Sequence, residues 1–337
     1  MKRREFLGSA AALAAASSLP GFASLVHAQG KGQLVFLTPA SYSLAFSPVL
    51  YASANGYFAK EGVDVKIEAG RGAAQVVQLV AAKQTQAGRT GGANYMMARV
   101  NNNAPVISIA TIAQRSPFLV ISSKEAPILT PQDMVGKTIG MQSAGGSMEA
   151  TLDLMLMREK IDLKALRRER VADSAASFGM IEAKRVHGFL GNTSAATRLV
   201  AQNYPVATFP MDDGIPGQVY VAEESVLAEN RDSYVAFMRA VYKSVRELID
   251  MDDAGLQKAV EVMRGRFNIP GSDNLPVALA DMRANRALWT TEDPTKVLRH
   301  GEKHWEEAEA LLREAGLLKN PTTKPLYTND IWEAANG

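Results

Sequence analysis

Short apolar strands alternate with helices from residue 33 onward, and this alternation limits the folds open to the chain. Residues 33–37 have the apolar run of a buried strand. A helix is predicted to begin near Ser47 and Pro48, since serine caps helices and proline favours their first turn. Residues 63–67 then alternate like a strand with one polar face. Strand, helix and strand in succession predict a parallel sheet with helical crossovers.

The same pattern occurs a second time, and two passages are predicted to connect the two units. Strands are predicted at residues 105–110 and 138–141, with an extended run at 118–122 between them. The connecting passages lie near residues 113–117 and 210–217. Two crossings indicate a hinge and not independent domains. The predicted lobes are residues 29–113 with 215–337, and residues 114–214, and the chain is predicted to end in helices near 232–251, 254–266, 276–289 and 294–315.

Residues 1–28 differ from the rest of the chain. Lys2, Arg3 and Arg4 precede an alanine-rich apolar stretch at residues 10–26, and small residues lead up to Ala28. This order is typical of a signal peptide cleaved after Ala28, and the paired arginines resemble the twin-arginine export motif. The alternative is an uncleaved membrane anchor, but serine, proline and glycine interrupt a stretch that is short of ~20 apolar residues. We therefore expect a periplasmic protein.

Composition argues against nucleic-acid binding and against catalysis by a cysteine nucleophile. The full chain has a formal charge of +2, and removal of three basic residues and one acidic residue with the signal brings it to zero. A nucleic-acid-binding protein normally carries a basic surplus, so no nucleic-acid partner is expected. The chain has no cysteine, so its stability depends on a hydrophobic core and no thiol nucleophile exists.

Several segments together resemble a known family. They are Gly-Tyr-Phe at 56–58, Glu-Gly-Val-Asp-Val at 61–65, Val-Gly-Lys-Thr-Ile-Gly at 135–140 and the final helices. Their order is similar to that in solute-binding proteins of ABC transporters of the sulfonate, nitrate and thiamine-precursor class. The resemblance implies an α/β type II periplasmic binding protein fold, with two flavodoxin-like lobes, two crossover strands and a ligand cleft between the lobes. It also implies a small-molecule solute, an inner-membrane ABC permease as partner, no cofactor and a monomer.

Departures from the family pattern leave the solute open. Residues 84–86 read Gln-Thr-Gln where an acidic residue is usual, and residues 184–188 read Lys-Arg-Val-His-Gly where Gly-x-Val-Asp-Ala is frequent. The resemblance implies that both segments border the cleft. The identity of the ligand therefore cannot be taken from a well-known member of the family.

Four loops are predicted to form the binding site, at residues 39–43, 70–73, 90–94 and 143–147. Each follows a predicted strand and leads into a helix, the position where ligands bind in parallel α/β folds and where helix amino termini attract anions. Each loop is equally consistent with a plain turn and helix cap. The candidate binding residues are Ser41, Tyr42, Phe46, Arg71, Gly72, Ala73, Thr90, Gly91, Asn94, Arg115, Ser143, Gly145, Ser147, Asn192, Thr193 and Asp212.

Arg71 is the most informative candidate. A guanidinium between two glycines at a helix start can hold a carboxylate or sulfonate through its planar fork, although a solvated surface arginine fits the same pattern. Arg115 is a second candidate beside the first crossing. Tyr42 and Phe46 can stack on a flat ligand, although Phe46 also suits the core. The predicted ligand is a small organic anion.

The alternatives are an enzyme, a sensor and a metal protein. An enzyme on this fold needs a titratable pair at the cleft, and His187 with Asp212 or Asp213 is the pair available. A module that presents ligand to a membrane kinase has the same sequence pattern. His300 and His304 are spaced to bind zinc from one helical face, but a solvated face of a polar helix is the favoured interpretation, so no metal is expected.

Overall fold

The structure is a computed structural model that describes residues 33–142, 144–172, 176–211 and 214–337. The predicted signal peptide at residues 1–28 lies outside the described residues, as do the candidates Ser143 and Asp212. No helix among the described residues is long and apolar enough to cross a membrane.

The described residues contain ten strands in two five-stranded sheets. In chain order they are β1 (Leu34–Thr38), β2 (Val65–Ala69), β3 (Ala87–Gly91), β4 (Val106–Ala113), β5 (Phe118–Ser123), β6 (Thr138–Met141), β7 (Arg167–Arg170), β8 (Gly188–Asn192), β9 (Val206–Pro210) and β10 (Gln218–Glu223). The first sheet has the order β2-β1-β3-β10-β4 and the second β7-β6-β8-β5-β9.

Each sheet has one strand that runs against its neighbours. In the first sheet β1 pairs in parallel with β2 and β3, whereas β10 is antiparallel to both β3 and β4. In the second sheet β6 pairs in parallel with β7 and β8, whereas β5 is antiparallel to β8 and β9. The reversed strands β5 and β10 directly follow the two passages between the sheets. The lobe boundaries placed in these passages remain predictions.

Thirteen α-helices connect or follow the strands within the described ranges. They are α1 (Ser47–Ala54), α2 (Tyr57–Lys60), α3 (Ala73–Ala81), α4 (Gly92–Asn101), α5 (Ser147–Arg158), α6 (Ala176–Glu182), α7 (Thr193–Ala201), α8 (Glu224–Glu229), α9 (Arg231–Asp250), α10 (Asp253–Arg264), α11 (Leu275–Trp289), α12 (Glu302–Glu314) and α13 (Asp330–Asn336).

Helices cover both faces of each sheet, and neighbouring residues of one strand supply the two cores. Phe36 on β1 packs with α1, α9 and α10, whereas the next residue, Leu37, packs with α3, α4 and α12. In the second sheet Val120 packs with α5 and Ile121 packs with α6 and α7. Successive side chains of a strand point to opposite faces, so strands covered on both faces are apolar throughout.

The last predicted helix, at residues 294–315, begins later than expected. Residues Pro294–Lys296 form a single 3₁₀ turn, and the chain then runs through the core before α12 begins at Glu302. The backbone N–H of Thr111 on β4 donates to Leu298 O at 2.9 Å, which holds this segment against the first sheet. The expected position of His300 on a polar helical face is therefore wrong.

His300 lies in the core, before α12, and is fully buried. Its Nε2 lies 2.8 Å from Ser108 Oγ, and its Nδ1 lies 3.0 Å from Asn329 Oδ1. The ring stacks on Tyr327 at a centroid distance of 4.9 Å. Burial lowers the pKa of His300 to about 3. The described residues contain no group of three or more residues able to hold a metal ion.

Candidate functional site

A cleft with a cavity of about 80 Å³ lies among elements of both sheets. One water needs roughly 10–15 Å³ of such space, so the cavity can take a small solute. Its lining is mostly apolar, with a few polar side chains, which is the usual composition of a small-molecule site. The lining residues are Pro39, Ala40, Ala45, Phe46, Gly72, Ala73, Arg89, Pro117, Phe118, Gln142, Ser147, Met148, Asn192, Gln218 and Asn285.

Three helices of at least nine residues begin at the cleft. Gly72 precedes α3, Gly146 precedes α5, and Asn192 caps α7 with a side chain that accepts from the backbone N–H of Ala195. The first N–H groups of a helix have no partner within the helix and carry partial positive charge. The amino-terminal ends of these helices therefore favour negative charge in the cleft.

Arg89 places a full positive charge at the cleft. This residue lies on β3 and is only 3% exposed. Its Nη1 donates to Ala45 O at 2.5 Å and its Nε to Gln218 Oε1 at 3.1 Å, while the guanidinium lies 5.0 Å from the centre of the Phe46 ring. Among the residues that the structure describes, no carboxylate pairs with it. Burial lowers the pKa of Arg89 to about 10.

Two amide side chains complete the buried polar lining. Gln218, at the start of β10, is 4% exposed, and Asn285, on α11, is 1% exposed. Asn285 Nδ2 donates to Ser194 Oγ at 2.8 Å and to Asp281 Oδ1 at 2.6 Å. Because Ser194 belongs to α7, this bond connects a helix of the first sheet's core to a helix of the second sheet's core.

A second direct contact connects the two sides of the cleft. The backbone N–H of Gly91, at the end of β3, donates to Ser147 Oγ at the start of α5 at a distance of 2.9 Å. A Cβ atom on Gly91 would lie 2.4 Å from Ser147 Cβ. This close approach requires glycine at residue 91.

The structure brings five of the sixteen candidate residues to the lining of the cleft, namely Phe46, Gly72, Ala73, Ser147 and Asn192. Two more lie outside the described residues. The other nine do not line the cavity, namely Ser41, Tyr42, Arg71, Thr90, Gly91, Asn94, Arg115, Gly145 and Thr193. A role of these nine residues in ligand binding stays a prediction.

Most of these nine residues have other partners or face solvent. Arg71, Arg115, Ser41 and Gly145 are exposed. Tyr42 turns away from the cavity, because its hydroxyl donates to Ile67 O and its ring packs on Phe267. The remaining polar side chains bond locally: Asn94 to Thr90, Thr90 to Ala73 O, and Thr193 to Pro117 O.

His187, the histidine of the suggested catalytic pair, also lies away from the cavity. His187 is exposed, its Nδ1 accepts from the backbone N–H of Thr138 at 3.1 Å, and it lines a different surface pocket. The segment at residues 184–188, expected to border the cleft, contributes to the same surface pocket as His187. Residues 84–86, also expected to border the cleft, do not line the cavity. The histidine of the suggested catalytic pair therefore lies outside the lining of the cleft, and Asp212 and Asp213 lie outside the described residues.

The sequence reasoning missed Arg89, Gln218 and Asn285. Arg89 directly precedes the predicted loop at residues 90–94, and the available signal was a charged residue inside a short strand. Asn285 interrupts the buried face of a predicted helix, where Met282 and Leu288 are apolar. Polar residues at such positions are buried and need partners.

Residues 43–254 match the protein family described as NMT1/THI5 like. The chain belongs to the NMT1/THI5-like family. A curated relative is the riboflavin-binding protein RibY of Chloroflexus aurantiacus, which is 24% identical over 314 residues, covering 86% of this chain and 83% of the relative.

Solved structures show the fold of this NMT1/THI5-like chain. The alkanesulfonate-binding protein SsuA of Xanthomonas axonopodis pv. citri superposes with a TM-score of 0.63 at 15% identity, covering 86% of this chain and 94% of that one. The desulfurization enzyme DSZB has a TM-score of 0.53 at 12% identity, covering 90% and 98%. The predicted type II periplasmic binding protein fold is confirmed, and the fold is shared by binding proteins and an enzyme.

Proposed function

We propose that this chain is the substrate-binding component of an ABC importer and that it binds a small organic anion, a sulfonate, carboxylate or anionic heterocycle, in the cleft. The observation that carries the proposal is the buried guanidinium of Arg89, for which the described residues supply no carboxylate partner. A buried charge is unfavourable unless it is paired. An anionic solute supplies the missing charge.

The surroundings of Arg89 support the same ligand class. The amino-terminal ends of α3, α5 and α7 point their N–H groups toward the cleft, and the described lining contains no acidic side chain. Phe46 and Phe118 offer apolar surface for the remainder of the solute. The site therefore suits a molecule with an anionic head and an apolar or aromatic body.

Reversible capture follows from the two-sided lining. Arg89 lies on the first sheet, and Ser147 begins the helix that follows β6 of the second sheet. A solute can contact both residues at once only when these two sides of the cleft are close together. A ligand shifts a conformational equilibrium by its difference in affinity for the two states. Closure of the predicted lobes around the solute requires no covalent chemistry, which supports a role in binding and not in catalysis.

The amino terminus supports export. We propose that the twin-arginine signal directs the protein to the periplasm, that cleavage follows Ala28, and that the monomer delivers its solute to an inner-membrane permease. Amino-terminal sequencing of the protein recovered from the periplasm tests the cleavage site.

Isothermal titration calorimetry with a panel of small sulfonates, carboxylates and uncharged analogues tests the ligand class. We expect at least one anion to bind, and Arg89→Met to weaken that binding by at least ~30-fold, because a charged hydrogen-bonding partner is lost. Arg71→Met is the matched control, since Arg71 is exposed and outside the lining. Binding of neutral or cationic solutes alone, or unchanged anion binding by Arg89→Met, would contradict the proposal.

A further inference from the structure

The orientation of the Asn285 amide is determined by its neighbours. Its nitrogen lies 2.8 Å from Ser194 Oγ and 2.6 Å from Asp281 Oδ1. The same nitrogen lies 3.0 Å from the backbone oxygen of Asp281, and a backbone carbonyl only accepts hydrogen bonds. The Asn285 nitrogen, and not its oxygen, must therefore face Asp281.

The Asn285 oxygen is consequently the atom that remains for the cleft. Asn285 lines the cavity, and its Oδ1 accepts no hydrogen bond from any residue that the structure describes. An amide oxygen has two lone pairs and cannot donate. At this point the site requires a hydrogen-bond donor from its occupant.

The opposite requirement exists at Arg89. A guanidinium only donates, so the amide oxygen of Gln218 must accept from Arg89 Nε, and Gln218 Nε2 remains as a donor at the cleft. Arg89 and Gln218 thus present donors on β3 and β10, and Asn285 presents an acceptor on α11. A simple anion satisfies the donors and leaves the acceptor on Asn285 unpaired.

We propose that Asn285 is a specificity-determining residue that selects anions carrying an additional N–H or O–H donor. This inference rests on the proposed function, because the anionic group at Arg89 is taken from it. The occupant is an organic sulfonate or carboxylate whose apolar body carries a hydroxyl, an ammonium or a ring N–H. Asn285 Oδ1 accepts from that donor.

Ser194 has a positioning role in the same network. Its hydroxyl accepts from the amide nitrogen of Asn285 across the contact between α7 and α11. Asn285, which accepts from the donor of the solute, is therefore also hydrogen-bonded to a helix on the other side of the cleft. Loss of the Ser194 hydroxyl weakens this connection while Asp281 still orients the Asn285 amide.

Calorimetry with matched pairs of anions tests the proposal. Suitable pairs are para-hydroxybenzoate with para-methoxybenzoate, taurine with propanesulfonate, and orotate with its N,N-dimethyl derivative. In each pair that binds, we expect the donor-bearing member to bind at least ~10-fold more tightly, because its analogue leaves a buried acceptor unpaired. Asn285→Leu should remove this preference, whereas Ser194→Ala should keep it and weaken both members equally.

Each outcome has a distinct meaning. Anions that bind equally well with and without a donor, or a preference that survives in Asn285→Leu, would overturn the role of Asn285 and leave the proposed function standing. A panel in which no anion binds would refute the proposed function and this inference with it. If Asn285→Leu does not fold, equal binding of the two members of each pair by the unmodified protein would still overturn the proposal.

Discussion

Replacing Arg89 by methionine should leave the free energy of unfolding of the unliganded protein almost unchanged, although Arg89 is only 3% exposed. Burial lowers the pKa of Arg89 from 12.5 to about 10. A tenfold change in an acid dissociation constant corresponds to about 1.4 kcal/mol, so a charged guanidinium at this position costs the folded protein about 3 kcal/mol. The cost applies at every pH below about 10, where the guanidinium is charged in the folded and unfolded chains.

The contacts of Arg89 offset this cost. The substitution removes the hydrogen bonds to Ala45 O and Gln218 Oε1, which contribute about 1.5 kcal/mol each because the donor is charged. It also removes the interaction with the Phe46 ring, which contributes about 0.5–1 kcal/mol. The loss of about 3.5–4 kcal/mol is within about 1 kcal/mol of the gain, and methionine fills much of the space of the arginine stem. We expect a net change within about 1 kcal/mol of zero.

Urea unfolding of ligand-free protein, followed by circular dichroism at neutral pH, measures this change. Arg71→Met is the control, because substitution of an exposed residue usually changes stability by less than about 0.5 kcal/mol. A loss of about 3 kcal/mol or more in Arg89→Met, with an unchanged denaturant slope, would refute the reasoning. Such a loss would mean that the guanidinium is already compensated in the unliganded protein and serves the fold.

Two further predictions concern the core and the cleft contact. Because burial lowers the pKa of His300 from 6.5 to about 3, the unfolded chain binds a proton that the folded chain does not. The free energy of unfolding should fall by about 1.4 kcal/mol per pH unit as the pH drops below 6.5. His300→Phe should lack this component. If urea unfolding shows the same dependence of the free energy of unfolding on pH for both proteins, between neutral pH and about pH 5, the prediction is wrong. Gly91→Ala should weaken the binding of any captured anion in calorimetry, because the added Cβ would lie 2.4 Å from Ser147 Cβ. Gly179→Ala is the control, because a Cβ at residue 179 meets no atom within 4 Å, and this variant should bind like the unmodified protein.

The predicted alternation of strands and helices agrees with the structure because it depends on local patterns. The strand at residues 63–67 overlaps β2, where Val65 and Ile67 are buried and Lys66 is exposed. The helix expected near Ser47 and Pro48 is α1. Both follow from the periodicity of apolar residues within a few turns of chain.

The binding residues were less predictable than the elements that hold them. Arg71 sits between two glycines at a helix start, yet it is exposed and outside the lining. Arg89 is buried because β10 pairs with β3 and brings Gln218, 129 residues away, to its Nε. No local pattern encodes such a pairing.

The sequence by itself determined the fold class and the family, because hydrophobic periodicity, caps and motif order are properties of short segments. Only the tertiary structure decided that the cation at the cleft is Arg89, that the acceptor is Asn285, and that His300 belongs to the core. The function of each of these residues depends on burial and on partners that arrive from distant parts of the chain. Burial gives the charge of Arg89 its energetic cost, and the packing of α7 against α11 brings Ser194, 91 residues away, to the amide nitrogen of Asn285.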